Sequence, residues 1–91
     1  MSDKVTASHI LVDQEFEAQD LVKKLDEGVS FEDLARDHSN CPSGKSGGSL
    51  GEFGKGMMVP EFEKVAFSLT PGEVSGPVKT QFGYHLIKRD A

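Results

Sequence analysis

Four stretches of the chain carry the two-residue alternation that is typical of a β-strand. They are residues 5–12, 49–53, 74–78 and 82–88. Successive side chains of a strand point to opposite sides, so His9 falls on the same face of the first stretch as Val5 and Ala7. In the last stretch His85 shares a face with Ile87. Two of the predicted strands therefore each carry a histidine among apolar neighbours.

Three other stretches change to the period of an amphipathic helix. Their stripes are Ala18, Leu21, Val22 and Leu25; Phe31, Leu34, Ala35 and His38; and Phe62, Val65 and Ala66. Gly28 is a stop signal for the first helix, and Ser30, with Asp33 three residues later, is a start signal for the second. Pro60 suits the first turn of the third helix. The order strand, two helices, strand, helix, two strands predicts an α+β domain with helices on an antiparallel sheet.

The segment between the second and third helices is rich in turn-forming residues. Residues 39–56 include Cys41-Pro42, Ser43-Gly44 and a cluster of further glycines. This density of glycine predicts tight turns or a backbone that a ligand approaches closely. Farther along, Pro71 and Gly72 occupy the positions that a type II turn favours.

Length and composition limit the classes of protein that the chain can represent. Ninety-one residues make one domain, residues 1–91. Fifteen acidic residues against ten basic ones give a net charge of -5, which argues against nucleic acid as a partner. No apolar run approaches the roughly 20 residues that span a bilayer, although peripheral membrane association stays open. The start lacks signal-peptide features, and the single cysteine fits a reducing compartment, so we expect a cytoplasmic monomer.

Four polar residues stand out as candidates for chemistry: His9, Cys41, Thr80 and His85. The same stretches carry large apolar residues, namely Leu50, Phe53, Met57, Met58, Phe62 and Phe82. A single histidine in an apolar strand is most often a core residue with a hydrogen-bond partner. Two such histidines, with a cysteine and a threonine in connecting segments, favour a shared site.

Two other kinds of site can be built from the same residues. Cys41 could act as the nucleophile of a hydrolase with a histidine as base, but Pro42 follows it and has no N–H to offer an oxyanion. His9, His85 and Cys41 could instead bind zinc, but their spacing contains no paired metal-ligand motif. Both alternatives stay open, and the sequence favours neither.

Four motifs in a fixed order resemble the parvulin family of peptidyl-prolyl cis/trans isomerases. They are SHILV at residues 8–12, HSNCPSG at 38–44, GGSLGEF with GMMVPEF at 47–62, and GPVKTQFGYHLI at 76–87. The resemblance covers nearly the whole chain. It implies a four-stranded antiparallel sheet surrounded by three to four short helices.

The resemblance also implies a site and an activity. It makes His9 and His85 hydrogen-bonded neighbours, and Cys41 and Thr80 complete the candidate catalytic cluster. The substrate-binding residues that it implies are Leu50, Phe53, Met58, Phe62 and Phe82. The implied activity is rotation about Xaa-Pro bonds of peptides and of proteins that are folding, with no metal or other cofactor. A peptide-binding chaperone module that lacks catalysis is the alternative.

One departure from the family concerns phosphate. In the phosphate-directed branch, basic residues follow the first strand, whereas here the segment at residues 13–17 is DQEFE. The resemblance therefore implies an isomerase that is not directed at phosphorylated clients.

Overall fold

The fold is built around a central pair of strands formed by the two ends of the chain. The computed structural model describes residues 4–91. Its elements are β1 (Lys4–Val12), α1 (Glu15–Asp26), α2 (Phe31–His38), a 3-10 helix (Pro42–Ser46), β2 (Ser49–Gly54), α3 (Pro60–Ser68), β3 (Val78–Thr80) and β4 (Gly83–Arg89). The strands form one antiparallel sheet in the order β2-β1-β4-β3. The predicted α+β architecture is confirmed.

The register between β1 and β4 places the two strand histidines side by side. Leu11 pairs with His85, and His9 pairs with Ile87. Residues that lie diagonally across an antiparallel pair share a face and are within reach of aromatic side chains. His9 and His85 are such a diagonal pair, so the sheet itself brings the two imidazoles together.

Both faces of the sheet are covered, and the alternation along the strands divides the core into two clusters. One cluster joins Ile10, Val12 and Leu86 of the sheet to apolar residues of α1 and α2. The other joins Val5, Ala7, Phe53 and Ile87 to Phe62, Ala66 and Leu69 from α3 and its end. Because His9 and His85 lie on the α3 face, the candidate site is built against α3.

The predicted start and turn signals are present. The Ser30 hydroxyl accepts a hydrogen bond from the Asp33 N–H at 3.2 Å and caps α2. Pro60 is the first residue of α3. In the turn before β3, Gly72 has a φ of 89°, and the Glu73 N–H donates to the Thr70 carbonyl at 2.9 Å. These are the features of a type II turn.

The third strand is shorter than the alternation predicts, and it begins later in the sequence. Residues 74–78 were expected to form it, but β3 spans Val78–Thr80 and Val74 makes only an isolated bridge to Lys88. Pro77 has no N–H to donate to a ladder. Beside it, the Ile87 N–H donates to the Ser75 hydroxyl at 3.1 Å instead of to a backbone carbonyl. The Ser75 N–H still donates to the Ile87 carbonyl at 2.8 Å, so this segment keeps part of the backbone pairing with β4 without the continuous ladder of a strand.

The glycine-rich segment packs closely against β1. The His9 N–H donates to the Gly48 carbonyl at 2.9 Å, and Gly48 has a φ of 86°. A Cβ atom at Gly48 would lie 2.4 Å from the His9 carbonyl oxygen. Of the two expectations for this segment, close approach explains Gly48, and the neighbour is the backbone of β1.

Candidate active site

A cavity of about 400 Å³ opens on the α3 face of the sheet, beside the two histidines. Its lining residues are His9, Leu11, Cys41, Leu50, Met57, Met58, Val59, Phe62, Phe82 and His85. Seven of the nine residues that the sequence singled out for catalysis or binding are in this set. Among residues 4–91 no Asp, Glu, Lys or Arg side chain lines the cavity.

The two histidines form a buried pair. Their Nδ1 atoms lie 3.0 Å apart, which is the hydrogen bond that the resemblance implies. The rings are stacked with their centroids 5.2 Å apart and their planes 18° from parallel. Since a bond between two ring nitrogens needs one donor and one acceptor, at most one Nδ1 atom carries a proton.

This pair is the centre of a chain of four hydrogen bonds that runs from β3 to the cavity wall. At one end, Thr80 Oγ1 lies 2.8 Å from His85 Nε2. At the other end, Ser43 Oγ lies 3.2 Å from His9 Nε2, and the Ser43 hydroxyl donates to Cys41 Sγ at 3.3 Å. The chain therefore connects Thr80 to Cys41 through both imidazoles and Ser43.

The number of protons fixes the direction of the chain. Because the Ser43 proton goes to Cys41, Ser43 Oγ accepts the Nε2 proton of His9. His9 Nδ1 is then an acceptor for the Nδ1 proton of His85, and His85 Nε2 accepts from the Thr80 hydroxyl. The Phe82 N–H donates to Thr80 Oγ1 at 3.2 Å. In this order all four ring nitrogens have a partner, and Cys41, which also lines the cavity, is the last acceptor of the chain.

Burial keeps both imidazoles neutral near neutral pH. The pKa of His9 falls from its ordinary 6.5 to about 4, chiefly because burial penalises the charged form and secondly because of His85. Burial also lowers the pKa of His85. Neutral rings are what the one-directional hydrogen-bond chain requires.

Apolar side chains form the other wall of the cavity. Leu50 comes from β2, Met58 from the loop before α3, and Phe62 from α3. The Phe62 ring meets His9 and His85 edge-on, with centroid distances of 5.6 and 5.4 Å. Phe62 thus joins the apolar wall to the histidine pair.

Two of the predicted site residues do not reach the cavity. Phe53 is only 2% exposed and packs behind Phe62 with ring centroids 6.0 Å apart, which corrects the expectation that it contacts substrate. Thr80 is 8% exposed and does not line the cavity. Its contact with the site is the hydrogen bond to His85, and its expected catalytic role stays a prediction.

Three residues of the site were not singled out from the sequence. Leu11 had a signal, because it falls on the same strand face as His9. Val59 lies in the loop before α3, and Ser43 lies in the 3-10 helix. A serine between proline and glycine predicts only a turn, so no sequence signal identified Ser43.

Two features are absent from residues 4–91. No three His, Cys, Asp or Glu side chains lie together in a way that could hold a metal ion. The zinc alternative thus gains no support. Within the same range, none of the helices is both long and apolar enough to cross a membrane.

Comparison with known proteins identifies the family. Residues 7–91 match the family model for the rotamase, PPIC-type PPIase domain. The foldase protein PrsA of Geobacillus kaustophilus is 54% identical over 86 residues, which are 93% of this chain and 31% of that relative. The PrsA of Bacillus subtilis is 51% identical over 90 residues, 98% of this chain and again 31% of the relative. The chain spans about a third of the length of these curated relatives.

Solved structures agree with the sequence comparison. The crystal structure of PrsA from Bacillus subtilis superposes with a TM-score of 0.95 at 50% identity, covering 98% of this chain and 35% of that one. The solution structure of NmPin, the parvulin of Nitrosopumilus maritimus, gives a TM-score of 0.89 at 49% identity and covers 100% and 99% of the two chains. The chain therefore belongs to the parvulin, or PPIC-type, family of peptidyl-prolyl cis/trans isomerases.

Proposed function

We propose that the domain isomerises Xaa-Pro bonds without any covalent intermediate, by binding the twisted amide better than either planar form. The observation that carries this mechanism is one cavity with two unlike walls. Leu50, Met58 and Phe62 form an apolar wall, and the neutral hydrogen-bond chain forms a polar wall that ends at Cys41 in the same cavity. The proposed clients are proline-containing peptides and proteins that are still folding.

The size of the barrier explains why such a cavity is sufficient. Rotation about a peptide bond costs about 18–20 kcal/mol because resonance keeps the amide planar. No bond is broken, so each factor of ten in rate requires only about 1.4 kcal/mol of preferential transition-state binding. A wall that fixes the proline ring while the preceding carbonyl turns supplies this preference.

The polar wall acts on the carbonyl. Amide resonance places negative charge on the carbonyl oxygen, and this charge decreases as the bond twists. Neutral imidazoles and a thiol solvate that oxygen less strongly than water does. On entering the cavity, the planar amide therefore loses more solvation free energy than the twisted amide. Cys41 lines the cavity, and the histidine pair positions it through Ser43.

The contacts of Cys41 argue against a cysteine hydrolase. A nucleophilic cysteine needs a base within hydrogen-bond reach. Here Cys41 Sγ accepts from the Ser43 hydroxyl, and His9 Nε2 is bonded to Ser43. The thiol therefore lies at the acceptor end of the chain, where no imidazole removes its proton.

Direct measurement of exchange separates catalysis from simple peptide binding. NMR exchange spectroscopy on a short Ala-Pro peptide should show accelerated cis/trans interconversion with the domain at substoichiometric concentration. Leu50 is half-buried in the apolar wall, so Leu50→Asn should weaken the acceleration while the fold is kept. Binding without acceleration would establish the chaperone alternative.

Cellular location and assembly are further proposals. The free thiol of Cys41 and the acidic balance of the chain support a cytoplasmic monomer that does not bind nucleic acid. Analytical ultracentrifugation tests the monomer, and fractionation of the source cells tests the location. Peptide and client binding at 0.1 M salt, with a DNA duplex as competitor, tests the absence of nucleic-acid binding.

A further inference from the structure

A second cavity adjoins the catalytic cavity, and the two share Cys41. It has a volume of about 310 Å³. Its lining residues are Arg36, Ser39, Asn40, Cys41, Pro42, Gly44 and Lys45. In the part of the chain that the structure describes, residues 4–91, this lining contains two cationic side chains and no Asp or Glu. The second cavity is therefore polar and basic, whereas the catalytic cavity is lined by no charged side chain from the same range.

The polar side chains of this lining keep hydrogen-bond donors that the protein does not use. Lys45 is exposed, and its ammonium group forms no ion pair within residues 4–91. The Arg36 guanidinium pairs with Asp33 through Nη2, which leaves most of its five N–H donors free. Ser39 Oγ accepts from two backbone N–H groups, at 3.1 and 3.3 Å, so its own proton stays available. Such a set of donors suits an acceptor that carries negative charge.

Close packing fixes the floor of the second cavity. Gly44 is buried against α2, where a Cβ atom would lie 2.7 Å from the Ala35 carbonyl oxygen. The Asn40 N–H donates to the Leu11 carbonyl at 2.7 Å and joins the loop after α2 to β1. The shape of the cavity is therefore set by the fold and does not depend on a ligand.

The shared residue makes the second cavity a continuation of the catalytic one. Cys41 is half-buried and is the one residue of 4–91 that lines both cavities. An extended peptide advances about 3.3–3.6 Å per residue. When the proline of a client lies against Leu50, Met58 and Phe62, a side chain two or three residues away is within reach of the second cavity.

We propose that the cavity lined by Arg36 and Lys45 is a carboxylate subsite, which takes an aspartate or glutamate side chain two or three residues from the proline of the client. The inference rests on the proposed function, because the bound proline places the acidic residue. A carboxylate has two acceptor oxygens, and the Lys45 ammonium, the Arg36 guanidinium and the Ser39 hydroxyl can all donate to it.

This subsite suits a carboxylate better than a phosphate. Asn40 Nδ2 donates to Asp13 Oδ1 at 3.2 Å, so the acidic segment after β1 borders the second cavity. Asp33 also neutralises part of the charge of Arg36. A carboxylate carries one negative charge and a phosphate about 1.5 to 2, so both aspartates repel the phosphate more strongly. The subsite therefore admits acidic clients without directing the domain to phosphorylated ones.

The test compares matched peptides that differ in one charge. Short peptides with one Ala-Pro bond carry glutamate or glutamine at one of four positions, two or three residues before or after the proline, and kcat/KM is measured for each. In the wild-type domain, glutamate on one side of the proline should raise kcat/KM about threefold to fivefold over glutamine, mainly through KM, as expected for exposed ion pairs. The ratio should approach one at high salt, because screening weakens exposed ion pairs.

A charge reversal identifies the partner of the glutamate. Lys45→Glu should lower the glutamate-to-glutamine ratio below one, and lysine at the same peptide position should then be preferred to glutamine. Lys64→Glu is the matched control, since Lys64 is exposed on α3 and lines neither cavity. It makes the same change in net charge and should leave the ratio close to the wild-type value.

Three results would overturn the inference alone. They are a wild-type ratio near one at all four positions while the glutamine peptides are turned over, a ratio that Lys45→Glu does not alter, and an equal decrease in Lys45→Glu and Lys64→Glu. The last of these would assign the preference to the overall charge of the domain. If no peptide is turned over, the proposed function fails, and the glutamate-to-glutamine ratio of peptide affinities from NMR titration decides the subsite.

Discussion

The thiol of Cys41 ends the hydrogen-bond chain as an acceptor, and a carboxylate oxygen can fill the same role. We therefore expect Cys41→Asp to stay within about a hundredfold of the wild-type kcat/KM, a loss of less than about 2.7 kcal/mol in transition-state binding. NMR exchange spectroscopy on an Ala-Pro peptide measures the kcat/KM of the variant and of the wild type. A covalent mechanism predicts a loss of about 10⁴-fold or more, because a carboxylate cannot replace the thiolate. A loss of that size would overturn the non-covalent mechanism.

Each histidine of the pair satisfies the other, so replacement of either one should destabilise the fold. His9→Leu or His85→Leu leaves a buried ring nitrogen without a partner, at a cost of about 1–3 kcal/mol. For a domain of this size each kcal/mol lowers Tm by about 4–8 °C. Thermal unfolding followed by circular dichroism gives the value. His38→Leu is the control, because His38 is exposed at the end of α2 and its loss should be nearly neutral. Wild-type stability in both single variants would show that the pair is not a structural unit.

The same pair predicts how stability depends on pH. The pKa of His9 is about 4 in the folded protein and 6.5 when unfolded, so between these values the unfolded chain binds a proton that the folded chain does not. Stability is thus full above pH 6.5 and falls as the pH is lowered toward 4, by an amount on the order of 3 kcal/mol from His9. The lowered pKa of His85 acts in the same direction.

Urea unfolding between pH 7.5 and 5 measures this dependence before most carboxylates titrate. The double variant His9→Gln/His85→Gln should lose most of the slope in that range. An equal slope in the wild type and the double variant would assign the pH dependence to other groups.

At the scale of elements, the contact between the glycine-rich segment and β1 should be sensitive to a single methyl group. Gly48→Ala and Gly56→Ala both place a Cβ atom on a left-handed backbone, with φ angles of 86° and 87°. That conformation alone costs about 1–2 kcal/mol. At Gly56 the methyl group would meet open space, whereas at Gly48 it would lie 2.4 Å from the His9 carbonyl oxygen. Gly48→Ala should therefore be clearly the less stable variant in urea unfolding.

The Gly48 variant should also lose activity, because a shift of the β1 backbone at His9 moves the histidine pair. Equal stability and equal activity in the two alanine variants would show that the contact with β1 adapts without cost.

Sequence patterns found most elements because they are local properties. Caps, turn residues and apolar stripes located all three α-helices, and alternation located β1 and β4 to within one or two residues. The misplaced β3 shows the limit of that reasoning. Residues 74–78 show the alternation of a strand, but backbone pairing with β4 depends on which N–H groups face that strand. The Ser75 hydroxyl and Pro77 change that pairing, and no periodicity reports it.

Over the whole molecule, the distribution of charge predicts a bias against phosphorylated clients. Residues 13–37, which include the segment after β1, carry nine acidic and three basic side chains. Asp13 and Glu15 are exposed there. A phosphate before the proline carries about -1.5 to -2 charges and needs Arg or Lys donors to offset its desolvation. We expect phosphoserine-proline peptides to be turned over more slowly than matched peptides with a neutral apolar or basic residue.

The bias should shrink as salt is raised, because screening weakens the interaction between exposed charges. The positive charge of Lys45, in the 3-10 helix, should weaken the bias. Lys45→Gln should therefore strengthen it and serves as an internal control. The measurement is kcat/KM for the peptide pair at low and high ionic strength. A preference for the phosphorylated peptide in the wild type would contradict the prediction.

Turn chemistry, periodicity and motif order are local properties of the chain, so the sequence was sufficient to predict the family, most of the elements and most of the residues that line the cavity. It could not show that Phe53 lies behind Phe62, since both are phenylalanines in apolar stretches. It also could not show that Ser43 connects His9 to Cys41, because that contact joins β1 to a helix more than thirty positions away. Packing between distant segments decides which apolar residues are buried and which stay exposed while they line the cavity, as Phe82 does. Only the tertiary structure contains that packing.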